Sequence, residues 1–199
     1  MRLLRQFAAV PNLLTLLRLF IIPLLVINIL DRRWEVAFAL FLFAGVSDGF
    51  DGLLARWLSQ RTTLGLYFDP IADKLMLSTL FLVLTHTHDI PRYVTVLVFS
   101  RDLGILLIAT LLFATHTLRD FEPSLVGKLN TLVQIVAVTC ILGGHVWYIP
   151  WMGWLIGWML KAIAVLAPVS AAQYAWIVVK RLESSPAGGE GGPANDAQL

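Results

Sequence analysis

Six long apolar runs, separated by short polar stretches, set the pattern of this chain. They fall at about 12–30, 35–58, 64–86, 92–115, 125–143 and 154–179. Each is long enough to cross a hydrocarbon layer of about 30 Å as a helix. The separators are Asp31-Arg32-Arg33-Trp34, Arg56 to Thr63, His86 to Pro91, Thr117 to Ser124, and Trp147 to Trp154. The last carries Trp and Pro, as an interfacial aromatic belt does. Residues 1–10 are too short to span and carry Arg2 and Arg5, which predicts a basic amphipathic segment at the membrane surface. They lack a short apolar core followed by a small-residue cleavage site, so a signal peptide is not expected. From Glu183 the chain is rich in Gly, Pro and Ser and should be disordered. There is no internal repeat. The expected architecture is all-α: a polytopic membrane protein of six transmembrane helices with a short N-terminal interfacial helix. Residues 1–182 form the membrane domain and 183–199 the tail.

Composition sharpens this. Of 199 residues, 58% are hydrophobic and 14% charged, where a soluble domain has about a quarter charged. The net charge of +2 is too small to argue for nucleic acid. The basic residues matter by position. In a six-span arrangement one side holds Arg2, Arg5, Arg56, Arg61, Arg119, Lys128, Lys180 and Arg181, the other Arg32, Arg33 and Arg92. The excess places both termini and the Arg56 to Thr63 turn in the cytoplasm. The single cysteine, Cys140, lies in an apolar run and is expected to pack in the core.

Against this apolar background the stretch from Asp48 to Asp73 stands out. Asp48 and Asp51 are three apart near the end of the second span, so on a helix they share a face. Gly65, Asp69 and Asp73 are spaced by four in the first half of the third span and make a second stripe. Two helices joined by a short turn would aim four carboxylates at one place. Four like charges cannot crowd together in a low dielectric without cations. Hard divalent ions, Mg²⁺ or Mn²⁺, are their natural partners, and four carboxylates can hold two. Gly52 and Gly65 leave open space, and Arg56 offers a bidentate anion-binding fork. The combination suits a metal-bound phosphate ester. Neither G-x-x-x-x-G-K-[ST] nor G-x-G-x-x-G occurs, so a nucleotide site would have to be built from helix faces.

These residues, in the order D-x2-D-G-x2-A-R-x8-G-x3-D-x3-D, match at every fixed position a pattern resembling the signature of the CDP-alcohol phosphatidyltransferase family. Pro11-Asn12-Leu-Leu-Thr15-Leu-Leu-Arg18, Ser100-Arg101-Asp102 and Gly127-Lys128-Leu-Asn130-Thr131 resemble further family segments, so roughly residues 10–180 are covered. The resemblance implies that Asp48, Asp51, Asp69 and Asp73 bind two metal ions, with Asp73 also the general base. It implies that Gly52, Ala55, Arg56 and Gly65 shape a CDP site. It implies transfer of the phosphatidyl group of CDP-diacylglycerol to an alcohol, release of CMP, and a homodimer. Arg101 and Lys128 are the expected acceptor-side cations, since charged residues within spans mark functional sites. Arg101 and Asp102 are neighbours in sequence, which points them to different helix faces.

The expected acceptor is glycerol 3-phosphate, whose branch of the family the Pro11-Asn12 start and the Arg101 and Lys128 segments resemble, and two cations suit it through charge-assisted hydrogen bonds. Asn130 and Asp102 instead resemble the branch that uses phosphatidylglycerol, while inositol- and choline-type acceptors rank lower. A cation transporter would explain the acids but not Gly52, Ala55, Arg56 and Gly65 at fixed spacing, and the intact Asp set argues against a catalytically silent scaffold. Thr15 and Arg18 are weaker nucleotide-side candidates. Lys74 reads as local charge balance, and His86, His88, His116 and His145 as interfacial groups. Lys128 at a helix start could also snorkel. Lys161 has no evident role.

Overall fold

The structure, a computed structural model, describes residues 10–58, 63–114 and 125–184, without side chains at 10–15, 48–71, 73, 108–114, 178 and 181–184. The predicted surface segment at 1–10, almost all of it, and the tail from residue 185 lie outside the described residues. Six helices follow in order: α1 (Val10–Leu30), α2 (Trp34–Leu58), α3 (Thr63–His86), α4 (Arg92–Ala114), α5 (Leu125–Val146) and α6 (Met152–Ser184). No strand occurs among the described residues. Each apolar run has become one helix. The chief differences are at α5 and α6, which run three and five residues past the expected C-terminal ends at 143 and 179. The α6 helix thus continues through Ser184, into the stretch expected to be disordered. Pro70, expected near a helix start, stands eighth in α3, beyond the first turn, so that helix accommodates a missing N–H internally.

The short connections after α1, α3 and α5 make the helices they join antiparallel. Two are closed by paired C-caps. At the end of α1, Arg32 N–H donates to the Ile29 carbonyl (3.0 Å) and Arg33 N–H to the Asn28 carbonyl (2.8 Å). At the end of α3, His88 N–H donates to the Thr85 carbonyl (3.2 Å) and Asp89 N–H to the Leu84 carbonyl (2.9 Å). This six-to-one geometry satisfies orphan carbonyls but needs a left-handed residue. Arg32 (φ 57°) and His88 (φ 71°) supply it, at about 1–2 kcal/mol each because neither is glycine.

The helix α1 packs against α2 and α3, α5 against α6 and α2, and α6 against α4. Ile21, Leu25 and Ile29, one stripe of α1, meet Phe41 of α2, Phe81 and Leu84 of α3, and Val138 and Ile141 of α5 in a continuous core. The outward faces are also apolar: Phe20, Val96, Leu107, Leu132 and Trp176 are all exposed. Helices hydrophobic all round belong in a large core or a membrane. Among the described residues, Leu125–Val146 and Met152–Ile177 are long and apolar enough to cross one. Cys140, expected in the core, is only half-buried. Lys161 is placed by Trp158, whose ring centroid lies 5.1 Å from Nζ, a cation–π contact.

Candidate functional site

The acidic stretch lies on the last turns of α2 and the first half of α3. Both backbones are helical there, so the spacings 48/51 and 65/69/73 do put each set on one face of its helix. The side chains of Asp48, Asp51, Asp69 and Asp73, and of Gly52, Ala55, Arg56 and Gly65, lie outside the described residues.

Contacts at the far end of the bundle fix the level of this stretch. Trp34 of α2 stacks on His145 of α5 with centroids 3.8 Å apart, and Phe38 meets Trp147 edge-on at 5.2 Å. The two helices run antiparallel with equal rise. Fourteen residues on from Trp34 is Asp48, and fourteen back from His145 is Thr131. The acidic turns of α2 are therefore level with the start of α5. His145 is more than an interfacial group: its Nε2 lies 2.8 Å from Asp89 Oδ1, which ties α5 to the α3–α4 turn.

At the level of the acidic turns lies an open cavity of about 460 Å³. Arg101 and Lys128, the two expected acceptor-side cations, both line it, from α4 and α5. Lys74 of α3, one residue beyond Asp73, is a third cation in its wall. Gly127, Thr131 and, from α6, Tyr174 complete the polar part, with Ile105, Leu132 and Ile135 as apolar wall. Arg101 and Lys128 are 27 residues apart in sequence, and the packing of both α4 and α5 against α6 brings them to one space.

Two sequence expectations are corrected here. Arg101 and Asp102 do pair: Arg101 Nη1 donates to Asp102 Oδ1. The guanidinium stem is long enough to curl back along the helix surface, which a helical-wheel argument ignores. Lys74 does more than balance local charge, since its Nζ donates to the same Oδ1 at 2.8 Å. Arg101 is further held by Ser170 of α6, whose Oγ accepts from Nε at 3.0 Å and itself donates to the Ala167 carbonyl. Ser170 and Tyr174 carried no motif, only four-residue spacing in the last span. Arg18 of α1 is buried at 2% exposure, as a group within the bundle should be. Thr15 lies outside the described side chains.

The inner face of α5 adds a feature that spacing did not flag. Asn130 and Gln134, one turn apart, are 0% and 1% exposed. Both polar atoms of the Asn130 amide, and Gln134 Nε2, have no hydrogen-bond partner among the described residues.

Comparison with known proteins agrees with the motif. Residues 8–169 match the family described as CDP-alcohol phosphatidyltransferase. The chain belongs to that family. Over 155 residues it is 34% identical to the cardiolipin synthase (CMP-forming) of Rattus norvegicus, covering 69% of this chain and 51% of that protein. Over 140 residues it is 38% identical to a probable phosphatidylglycerophosphate synthase of Mycobacterium tuberculosis, covering 67% and 65%. Over 177 residues it is 27% identical to the CDP-diacylglycerol–glycerol-3-phosphate 3-phosphatidyltransferase of Rickettsia typhi, covering 80% and 93%. The chain spans about half the length of the cardiolipin synthases it matches.

Proposed function

We propose that the protein is an integral membrane phosphatidyltransferase of phospholipid synthesis, with all six helices spanning and both termini and the acidic site in the cytoplasm. The acceptor hydroxyl attacks the diacylglycerol-bearing phosphorus of CDP-diacylglycerol. The bond to the CMP phosphate oxygen breaks, and CMP leaves as the phospholipid forms. Asp73 takes the hydroxyl proton, so no covalent enzyme intermediate is required. Gly52, Ala55 and Gly65 allow the CDP moiety close to the backbone, and Arg56 pairs with its phosphates. Asp48, Asp51, Asp69 and Asp73 would hold two Mg²⁺ or Mn²⁺ ions. An all-carboxylate donor set on adjoining helix turns fits such hard cations. Bound there, the ions would offset charge on the attacking and leaving oxygens.

Arg101 and Lys128 receive the acceptor, and the favoured one is glycerol 3-phosphate, a phosphate monoester. The observation that carries the reading is the complete acidic pattern on two consecutive helices, level with a cavity lined by cations. Asn130 and Asp102 favour a second acceptor, phosphatidylglycerol, which would make the protein a cardiolipin synthase. A homodimer is part of the proposal through the family resemblance alone.

The test is CMP release by the purified chain in lipid micelles with CDP-diacylglycerol and Mg²⁺ or Mn²⁺, with each acceptor supplied separately. Metal-dependent release with glycerol 3-phosphate supports the first reading. Product from phosphatidylglycerol alone reverses the acceptor, and ion flux through the protein reconstituted in sealed vesicles, without CMP release, would make it a cation transporter.

A further inference from the structure

Among the described residues three cations line the cavity, and one carboxylate behind its wall, Asp102, organises two of them. Asp102, 8% exposed, uses one oxygen, Oδ1, for both Lys74 Nζ of α3 and Arg101 Nη1 of α4. Ser170, 1% exposed on α6, holds Arg101 Nε. With these bonds made, the guanidinium cannot rotate, and the rest of its fork is free of partners among the described residues. Lys74 is 38% exposed, so its ammonium has room for a second partner beside Asp102. Among the described residues, Lys74, Arg101 and Lys128 carry three positive charges on the wall of one space, and Asp102, bonded to two of them, subtracts one, leaving two. Without Asp102, two cations from α3 and α4 would repel one another across the cavity, and nothing described would fix their separation.

We infer that Asp102 is a positioning residue for acceptor recognition, holding Lys74 and Arg101 as a fixed pair that, with Lys128, presents two net positive charges to a phosphate monoester dianion. The inference rests on the transferase reading above and deepens it: Lys74 joins the acceptor site, and Asp102 sets the charge of that site and its spacing. Lys74 is also the residue after Asp73. The Asp102 bond therefore ties the backbone that carries the proposed base to the helix that carries the acceptor cation, so acceptor and base are positioned together.

The experiment measures initial rates of CMP release by the full-length protein in mixed micelles, varying glycerol 3-phosphate and CDP-diacylglycerol in turn. Asp102→Asn should raise the KM for glycerol 3-phosphate at least tenfold and leave the KM for CDP-diacylglycerol within about twofold. Asp102→Glu, which keeps the charge, should recover most of that loss. Ser170→Ala, a milder change at a side chain bonded to α4 and α6 rather than to α2 or α3, should shift the same KM in the same direction by a few-fold and serves if Asp102→Asn fails to fold. Equal rises in both KM values, a loss confined to kcat, or no rescue by Glu would make Asp102 purely structural and overturn the inference. An unchanged glycerol 3-phosphate KM in Ser170→Ala would also count against it. CMP release by the unaltered protein with phosphatidylglycerol but not with glycerol 3-phosphate would also overturn the inference, whereas no CMP release with either acceptor would sink the transferase reading, so the two failures are distinguishable.

Discussion

Asp73 is the residue at which proton transfer and ligand holding can be separated. Asp73→Asn keeps the shape and removes the proton acceptor. The expected result is a fall in kcat of at least about 10²-fold, with binding of CDP-diacylglycerol less affected, measured by CMP release and lipid retention on the same preparation. A variant of normal rate would leave Asp73 a dispensable ligand. Asp48→Ala, Asp51→Ala and Asp69→Ala should each abolish turnover and also weaken Mn²⁺ binding, followed by electron paramagnetic resonance of free Mn²⁺. Near-normal activity in any of them breaks the two-ion assignment. Gln134 makes the opposite kind of prediction. Its buried Nε2 lacks a described partner, and an unsatisfied amide costs roughly 1–3 kcal/mol. Gln134→Leu should therefore raise the thermal midpoint in detergent. A lower midpoint would mean that the amide has a partner in the folded protein.

At the scale of elements, α2 and α5 are clamped at the end opposite the acids. The stack of Trp34 on His145, the Phe38–Trp147 edge contact and the His145–Asp89 pair set their register. A Cβ at Gly143 would sit 3.4 Å from the Phe38 ring, an ordinary van der Waals contact, so the approach does not depend on glycine there. Aromatic pairs contribute about 0.5–1.5 kcal/mol beyond the area they bury. Trp34→Ala should lower the thermal midpoint while changing the KM of either substrate less than twofold, since the substitution lies three to four helical turns from the acidic positions. A large rise in substrate KM at unchanged stability would show that register at this end is transmitted to the site.

For the whole molecule, the six-span proposal makes a geometric claim. In a Cys140→Ser background, a cysteine at Arg61 should react with an impermeant maleimide only from the cytoplasmic face, and one at Tyr148 only from the other. Labelling of both from one face would remove the topology on which the site's orientation rests. Tyr148 is 92% exposed, so a cysteine there is not shielded by the protein. In lipid, apolar outward faces such as those of α4 and α6 need no covering, and helix association depends on close packing and polar contacts instead.

The sequence determined the elements and the chemistry. Apolar runs bounded by polar turns became α1 to α6 nearly residue for residue, because a long apolar run satisfies its backbone groups most simply as a helix. The acid spacing needed only helical periodicity to be read as two faces. Tertiary packing decided which distant residues meet. Arg101 and Lys128 share a cavity because α4 and α5 border the same space. Lys74 and Ser170 reach the Arg101–Asp102 pair because α3 and α6 flank α4. Sequence spacing reports neighbours within a helix, at three and four residues, and carries no record of which helices lie side by side. The curl of a long guanidinium stem onto its own neighbour is likewise set by what the other helices leave for it to touch. Lys74 looked like local balance, and Ser170 like nothing at all, until the bundle brought them to one carboxylate oxygen and one guanidinium.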